Sequence, residues 1–341
     1  MTKTLVEKEK HEIPSHIRVS IGTAMVIGLL EGKLDVAPTT AYLMTYKEGK
    51  CTANCGFCPQ ARTSQCKTEL LSRVTWPTFS SRSVVLCVTS AFHSSKIRRV
   101  CIQALNYPTV FSDLCRIVKA LKQQIEVPVS VSCQPSKRAD LQCLYEAGVN
   151  RIGIPLDVAT EKLFDLIKGA KAGGPYRWEN QFRQLKDAVE FFGKGNVSTH
   201  LIVGLGETEK EAVALIQRCT DLGVTLALFA FTPVRGTILS SKPQPSIETY
   251  RRIQLARYLI VNCMTRFEDM HFDKKEKITA FGVPKEKLLP IIESGEPFLT
   301  SGCPDCNRPF YNEKPSGPIY NYPRRVTTKE AFLISKQLTL K

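Results

Sequence analysis

The chain has 341 residues, of which 43% are hydrophobic, a length and composition that suit one barrel-sized domain. No apolar run approaches the roughly 20 residues that cross a bilayer, so no membrane span is predicted, and the charged residues 1–11 indicate neither a signal peptide nor an anchor. The net charge of +15 is spread without an Arg-rich or aromatic-interleaved tract, which makes nucleic acid an unlikely partner and leaves a solvated surface or an acidic macromolecular partner.

Taken in chain order, short β-branched runs alternate with amphipathic helical runs, the pattern of βα units. The predicted fold class is α/β, a (β/α)8 barrel of the TIM type. An open six-stranded barrel is the alternative, because the last two strands are weakly patterned. The predicted strands are 40–46, 98–104, 127–133, 150–156, 196–205, 225–231, 264–272 and 297–301. The predicted barrel helices are 112–124, 137–147, 179–192, 207–222 and 247–262.

Three regions are predicted from these elements. Residues 1–36 form an N-terminal extension, in which 14–34 make one or two helices packed against the base of the barrel. Residues 37–301 form the barrel. Residues 302–341 form a C-terminal tail rich in Pro, Asn, Gly and aromatic residues, with a last helix over 329–337. Chemistry in such barrels lies at the C-terminal ends of the strands, so functional residues are sought there.

Three cysteines, Cys51, Cys55 and Cys58, follow the first predicted strand. Three thiolates can hold three irons of a [4Fe–4S] cluster and leave the fourth iron open. S-adenosylmethionine (SAM) can chelate that iron through its amino and carboxylate groups, and electron transfer then releases a 5′-deoxyadenosyl radical. Phe57 suits the edge of the adenine. The alternatives are a zinc site completed by Cys66 or a disulfide.

The segments around these cysteines resemble the biotin synthase branch of radical SAM enzymes. The resemblance rests on Thr45–Cys51, on Cys58-Pro-Gln-Ala-Arg62 and on Leu201–Glu207, and it runs over residues 14–303. One departure is that the glycine-rich stretch of the family reads Ser-Thr-His-Leu here, from Ser198. The polar His200 in this stretch is either a hydrogen-bonded core histidine or a proton-transfer group.

The resemblance also implies a set of SAM contacts. A carboxylate on the ribose corresponds to Asp157, for which a helix N-cap is the competing role. Ile202 and Val203 are predicted to pack on the adenine. Glu207 is a further predicted contact, or else a first-turn acid favoured by the helix dipole. Arg177 is predicted to clamp the SAM carboxylate through charge-assisted hydrogen bonds.

A second iron–sulfur cluster, which donates sulfur to the product, is implied by the same resemblance. Cys101 and Cys133 fall at the family's ligand positions on strands two and three, whereas Ser198 stands at the cysteine position on strand five. Arg266 is aligned with the family's arginine ligand on strand seven. The pair Cys303 and Cys306 supplies two more thiolates. Four thiolates suit a [4Fe–4S] cluster better than a [2Fe–2S] cluster, and a zinc knuckle in the tail is the alternative.

The remaining cysteines are predicted to be small buried apolar groups rather than ligands. Thirteen cysteines without a secretion signal indicate a reducing compartment, so a cytoplasmic protein is expected. The cysteines in this group are Cys66, Cys87, Cys115, Cys143, Cys219 and Cys263.

The tail segments 301–312 and 316–323 resemble the archaeal-type two-component lipoyl synthases, in which two paralogous subunits act together. This resemblance implies sulfur insertion into an octanoyl chain on a lysine of an acidic lipoyl carrier protein or H protein. It also implies a paralogous radical SAM subunit and an electron donor such as ferredoxin as partners. The alternatives are biotin synthase-type sulfur insertion, a scaffold subunit whose second cluster donates no sulfur, and an RNA thiolase.

Overall fold

The computed structural model describes residues 12–338, which form an α/β fold around one eight-stranded sheet. The order across this sheet is β10-β9-β8-β7-β6-β2-β1-β5, and two hairpins, β3-β4 and β11-β12, lie outside it. The strands are β1 (His16–Val19), β2 (Thr40–Thr45), β3 (Leu70–Leu71), β4 (Val74–Thr75), β5 (Thr78–Ser80), β6 (Arg99–Gln103), β7 (Val129–Ser132), β8 (Arg151–Gly153), β9 (Val197–Val203), β10 (Val224–Ala230), β11 (His271–Phe272) and β12 (Ile278–Ala280).

Helices cover the outside of the sheet and bury apolar faces against it, as α3 does with Leu114, Ile117, Val118 and Leu121. The helices are α1 (Ile21–Val26), α2 (Ser81–His93), α3 (Val110–Lys122), α4 (Arg138–Glu146), α5 (Glu161–Ile167), α6 (Trp178–Phe192), α7 (Glu209–Asp221), α8 (Ile247–Val261), α9 (Lys285–Ser294) and α10 (Thr328–Leu338), with short 3-10 turns at Phe267–Asp269 and Glu296–Phe298. None of the helices within residues 12–338 is long and apolar enough to cross a membrane.

Six of the strands, β2 and β6 to β10, form a continuous parallel wall. The register makes Tyr42, Cys101, Ser130 and Arg151 successive partners across four of these strands. Because side chains alternate between the two faces of a strand, residues at one level of the register share a face. The wall therefore presents a row of polar and reactive side chains toward its concave side.

The C-terminal segment 301–311 connects the two ends of this parallel wall. At the β10 end, Leu228 N donates to Ser301 Oγ (2.8 Å). At the β2 end, Arg308 N donates to the Tyr42 hydroxyl (2.9 Å). Within residues 12–338, no strand pairing joins β10 to β5, so the sheet itself is open and the tail segment spans the opening.

The predicted fold class, an α/β barrel of the TIM type, is confirmed, and its parallel part has the six strands of the open alternative. The last two predicted strands are wrong. Residues 264–272 form a 3-10 turn and the short β11, and residues 297–301 include another 3-10 turn and a single bridge from Leu299 to Tyr322. Residues 264–272 do not form an inner strand because such a strand would bury the charges of Arg266, Glu268 and Asp269.

The predicted helices over 14–34 are also partly wrong. His16–Val19 is the strand β1, which pairs antiparallel with β2 on one side and β5 on the other. Only the short α1 is helical in this region, capped by Ser20, whose hydroxyl accepts from Thr23 N. The strand is favoured because its apolar Ile17 and Val19 become buried while both backbone edges are paired.

The cysteines predicted to be buried apolar groups behave in three ways. Cys66 and Cys219 are buried, as predicted, and Cys87 is partly buried. Cys263 is exposed, contrary to the prediction. Cys115 in α3 and Cys143 in α4 form a disulfide between neighbouring helices, so these two are not separate apolar groups.

Candidate active site

A cavity of about 290 Å³ lies inside the parallel wall, at the C-terminal ends of its strands. It is bordered by the loop after β2, by inward residues of β6 to β10 and by the tail segment 301–311. Two groups of cysteines border this one cavity. The first is Cys51, Cys55 and Cys58, and the second is Cys101, Cys303 and Cys306.

The loop that carries the first group is held by backbone hydrogen bonds on several sides. Gly56 N donates to the carbonyl of Ile167 (2.7 Å), and Cys58 N donates to the carbonyl of Cys55 (2.9 Å). Cys51 Sγ accepts a hydrogen bond from Asn106 N (3.1 Å). These contacts hold the loop so that all three thiols face the cavity, where one cluster would bind all of them.

Burial disfavours the free thiolate form of this group. It raises the pKa of Cys55 to about 12 and raises the pKa of Cys58 further. A cluster would supply the positive charge that stabilises thiolates in such surroundings. Within residues 12–338 no three His, Cys, Asp or Glu side chains converge as ligands of a single metal ion. The fit of the loop to a cluster therefore rests on the shared cavity and on the donor chemistry.

A buried ion pair lies beside the first group. Lys168 Nζ donates to Asp157 Oδ2 (2.6 Å), and the two side chains are 1% and 9% exposed. The ammonium also donates to the carbonyl of Pro155 (2.7 Å) and lies 5.1 Å from the ring centre of Tyr176. Lys168 lowers the pKa of Cys55 against the larger effect of burial, so its charge acts on the cluster loop.

Asp157 reaches this position through an unusual backbone conformation. Its φ is 71°, in the left-handed region that Asp tolerates better than most residues. It does not cap the following helix, because Thr160 is the N-cap of α5 and its hydroxyl accepts from Leu163 N. The competing N-cap role is therefore wrong, and the carboxylate faces the cavity beside Lys168.

His200 lies on the inner face of β9, next to this pair. Its Nδ1 is 3.9 Å from Asp157 Oδ1, and its ring centre is 4.9 Å from that of Phe229. Burial lowers the pKa of His200 to about 4, although Asp157 opposes the shift. The imidazole is therefore neutral at physiological pH, which agrees with a core histidine that borders the cavity.

The predicted SAM contacts divide into two sets. Phe57, Asp157 and Ile202 border the cavity. Val203 is buried on the opposite face of β9, as the alternation of side chains requires. Glu207 turns back on its own loop and accepts from Leu205 N (3.0 Å).

Arg177 is the clearest of the misplaced contacts. Its guanidinium is exposed and donates to the carbonyls of Tyr176 (2.8 Å) and Gly174 (3.3 Å). The cation that borders the cavity at this end is Lys168 instead. No pattern in the sequence singles out Lys168, which follows α5 as its C-cap.

The second group brings together one strand and the C-terminal tail. Cys101 is on β6, and its Sγ accepts from Gln103 Nε2 (3.2 Å). Cys303 Sγ lies 3.5 Å from Ser130 Oγ, and Cys306 Sγ lies 3.3 Å from the Tyr42 hydroxyl. Burial raises the pKa of Cys101, and the nearby Cys303 and Cys306 raise it further. Three of the four predicted thiols are therefore neighbours.

Cys133 is the exception among the predicted ligands. It borders the cavity and is buried. Burial raises the pKa of its thiol, and so does the side chain of Asp140 in α4, but none of the other three cysteines contributes. Cys133 directly follows β7, and its backbone N donates to the carbonyl of Gly153 (3.0 Å). The prediction of Cys133 in one ligand set with the other three is not supported.

Arg266 is also misplaced. It lies on the surface, 56% exposed, in ion pairs with Asp221 (3.2 Å) and Glu268 (3.4 Å). Arg308 takes the cationic position beside the second group. Its guanidinium carbon is 3.9 Å from the ring centre of Phe229, and its Nη2 donates to the carbonyl of Ser301 (2.6 Å). Its position in the sequence, two residues after Cys306, could have indicated that it lies near the second group.

The geometry does not support either of the two zinc sites considered as alternatives. Cys66, the suggested fourth ligand at the first group, points away and its Sγ donates to the carbonyl of Arg235 (3.2 Å). Cys303 and Cys306 are not a separate knuckle in the tail, because they face Cys101 inside the wall. The geometry favours two cysteine groups at one cavity.

Comparison with known proteins agrees with this arrangement. A family model described as the radical SAM superfamily matches residues 49–219, half of the chain. The chain belongs to the radical SAM superfamily. Membership implies SAM and a [4Fe–4S] cluster, and Cys51, Cys55 and Cys58 are the residues that would hold the cluster. The cluster supplies the electron that cleaves SAM.

Similar curated proteins include two biotin synthases. One, from a Sulfurihydrogenibium species, is 26% identical over 59% of this chain and 57% of its own length. The other, from Pelodictyon phaeoclathratiforme, is 22% identical over 60% of this chain and 59% of its own length. The chain thus spans less than two thirds of either relative.

Solved structures support the fold alone. The FeFe-hydrogenase maturase HydG from Carboxydothermus hydrogenoformans superposes with a TM-score of 0.51 at 15% identity. The superposition covers 65% of this chain and 51% of that chain. A second HydG structure gives a TM-score of 0.50 at 15% identity, over 65% of this chain and 49% of that chain. The fold is therefore shared with proteins of distant sequence.

Proposed function

We propose that this radical SAM enzyme is one component of a two-subunit lipoyl synthase. It inserts sulfur at an unactivated carbon of an octanoyl chain carried on a lysine of a lipoyl carrier protein or H protein. Cys51, Cys55 and Cys58 would hold the cluster that supplies the electron for SAM cleavage, and the radical so released would remove the hydrogen. Cys101, Cys303 and Cys306 would hold a second iron–sulfur cluster that supplies the sulfur. The observation that carries the proposal is that two separate cysteine groups border one cavity.

The wall between the two groups suits an alkyl chain. Tyr42, Trp76, Phe229, Phe231 and Tyr311 border the cavity, and Tyr42 and Tyr311 pack with ring centres 5.0 Å apart. Such surroundings offer apolar contact along a saturated chain and keep water from a carbon radical. Both reacting partners would be held in one enclosed space, which raises the effective concentration of the sulfur donor.

The tail supports the assignment in a second way. Cys303 and Cys306, on the segment that carries the lipoyl synthase resemblance, lie beside Cys101 rather than apart from the barrel. The net charge of +15 favours docking of an acidic carrier protein, which would be steered by long-range attraction. The paralogous subunit and an electron donor such as ferredoxin complete the proposed set of partners, in the cytoplasm.

Biotin synthase-type sulfur insertion is the second candidate, because the curated relatives at 22–26% identity carry that name. Ser198 argues against it, since it stands where the resemblance places a cysteine ligand. Ser198 borders the cavity, and its Oγ donates to the carbonyl of Ile152 (3.4 Å).

The deciding experiment offers both substrates to one preparation. The purified protein, alone and with its paralogous subunit, is incubated with SAM, a reductant and either octanoyl-lysyl carrier protein or dethiobiotin, and the products are weighed by mass spectrometry. We expect sulfur-containing carrier and unchanged dethiobiotin. Thiolation of dethiobiotin alone would favour the second candidate, and 5′-deoxyadenosine without any thiolated product would contradict both. Cys219→Ala, a buried cysteine outside the cavity, is the matched control for cysteine loss.

A further inference from the structure

We propose that Ser130 is the fourth ligand of the second cluster, together with the thiolates of Cys101, Cys303 and Cys306. Cys133 is not a ligand in this assignment. The proposal rests on the proposed function for the existence of the second cluster. It replaces the all-cysteine ligand set with three thiolates and one hydroxyl oxygen, on residues that face one another across the cavity.

The sheet register puts Ser130 beside Cys101. The two residues are direct partners of the parallel strands β6 and β7, so their side chains leave the sheet on the same face. Ser130 Oγ is also 3.5 Å from Cys303 Sγ, a residue 173 positions later in the chain. The hydroxyl therefore contacts Cys303 of the tail and lies next to Cys101 of strand β6.

Arg99 makes the hydroxyl of Ser130 a better ligand than an ordinary serine. Its Nη1 donates to Ser130 Oγ (3.2 Å), and both residues are buried. When the oxygen binds iron, the hydroxyl proton leaves to solvent and the oxygen becomes negative. A charge-assisted N–H bond from the guanidinium stabilises that charge in a site with little water.

Tyr42 is the competing oxygen ligand, because its hydroxyl is 3.3 Å from Cys306 Sγ. That hydroxyl already accepts from Arg308 N (2.9 Å), a contact that fixes the tail on β2. Ser130, whose hydroxyl receives a guanidinium N–H, is the better-supported ligand.

The test isolates the second cluster in the full-length chain. Cys51, Cys55 and Cys58 are all replaced by Ala, and the protein is reconstituted without oxygen with iron and sulfide. Iron and sulfide contents and the Mössbauer spectrum are then measured before and after each further substitution. In this background we expect one cluster to remain. A background with no bound iron would overturn the second cluster of the proposed function, and this inference with it.

Ser130→Ala in that background is expected to lose about one of four irons, or to change the Mössbauer signature of one iron site. Ser130→Cys, which restores a ligand at the same place, should return the full iron content with an altered spectrum. Cys303→Ala should lose most of the iron. Cys133→Ala is the matched control, and it should leave content and spectrum unchanged.

Two results would overturn the assignment while leaving the second cluster intact. One is an unchanged iron content and spectrum in Ser130→Ala. The other is a loss of iron in Cys133→Ala as large as in Cys303→Ala. Circular dichroism of each variant reports whether the barrel has folded. If Ser130→Ala does not fold, Ser130→Cys decides, because a thiolate at this position changes the spectrum only if the side chain binds iron.

Discussion

The two cysteine groups of the cavity are built in opposite ways. Cys51, Cys55 and Cys58 lie in one loop after β2, and hydrogen bonds within and around that loop hold them. Cys101, Cys303 and Cys306 come from one strand and from a tail about 200 residues later in the chain. The first group is a local motif that needs the barrel only as a support. The second exists only when the tail has crossed from β10 to β2.

Their electrostatic surroundings differ as well. The first group adjoins an ion pair, Asp157 with Lys168, that is closed off from solvent. The second adjoins Arg99 and Arg308, whose charges lower the pKa of Cys306 against the effect of burial. The two groups therefore differ in the charges beside them, a buried ion pair at the first and two guanidinium groups at the second.

The largest effect is expected at the first group. Replacing Cys51, Cys55 and Cys58 together by Ala should reduce 5′-deoxyadenosine formation below detection, because no site for the electron-transferring cluster remains. Chromatography of the SAM cleavage products measures this. Iron at the second group should persist, and Cys219→Ala should cleave SAM like the native chain. Undiminished cleavage in the triple variant would show that the two groups are not separate in function.

The tail cysteines give the next largest effect. The double variant Cys303→Ala and Cys306→Ala should retain SAM cleavage but form no thiolated carrier, because the radical would find no sulfur donor. Mass spectrometry of the octanoylated carrier, next to the yield of 5′-deoxyadenosine, separates the two activities. Sulfur insertion at the native level in this variant would make the tail cysteines bystanders.

The buried ion pair beside the first group, Asp157 with Lys168, is expected to contribute to the free energy of unfolding. Lys168→Met leaves the Asp157 carboxylate buried without its cation, and such a loss costs about 3–5 kcal/mol in the free energy of unfolding. Urea titration measures it. Arg266→Met, which breaks the exposed pair with Asp221, is the control and should cost about 1 kcal/mol or less. Equal costs in the two variants would mean that the pair beside the first group is not buried in solution.

The smallest expected effect is a pH dependence from His200. Its folded-state pKa of about 4 lies below the ordinary 6.5, so the unfolded chain binds the proton more readily. The free energy of unfolding should therefore fall as the pH drops from about 6.5 to about 4, by up to about 3 kcal/mol. In His200→Gln this part of the pH dependence should vanish. Parallel curves for the two proteins would contradict the neutral, buried assignment.

Much of the fold could be predicted from periodicity alone. The six parallel strands and the helices α3, α4, α6, α7 and α8 lie where the alternation of apolar and polar residues indicates them. α2 was not predicted, because its β-branched residues give a weak helical pattern. Its Val84, Val88 and Ala91 become one buried helical face only against the sheet. β1 was missed for a related reason, since its partners β2 and β5 are distant in the chain.

The sequence by itself determined the first cysteine group, because its ligands share one loop and their spacing carries the chemistry. Tertiary structure alone decided the surroundings of the second group, where Ser130 and Arg308 adjoin the tail cysteines and Arg266 does not. The reason is that strand register and the path of the tail set which side chains face each other. The burial of Lys168 with Asp157 was decided in the same way, since a lysine is exposed by default until the fold supplies its partner.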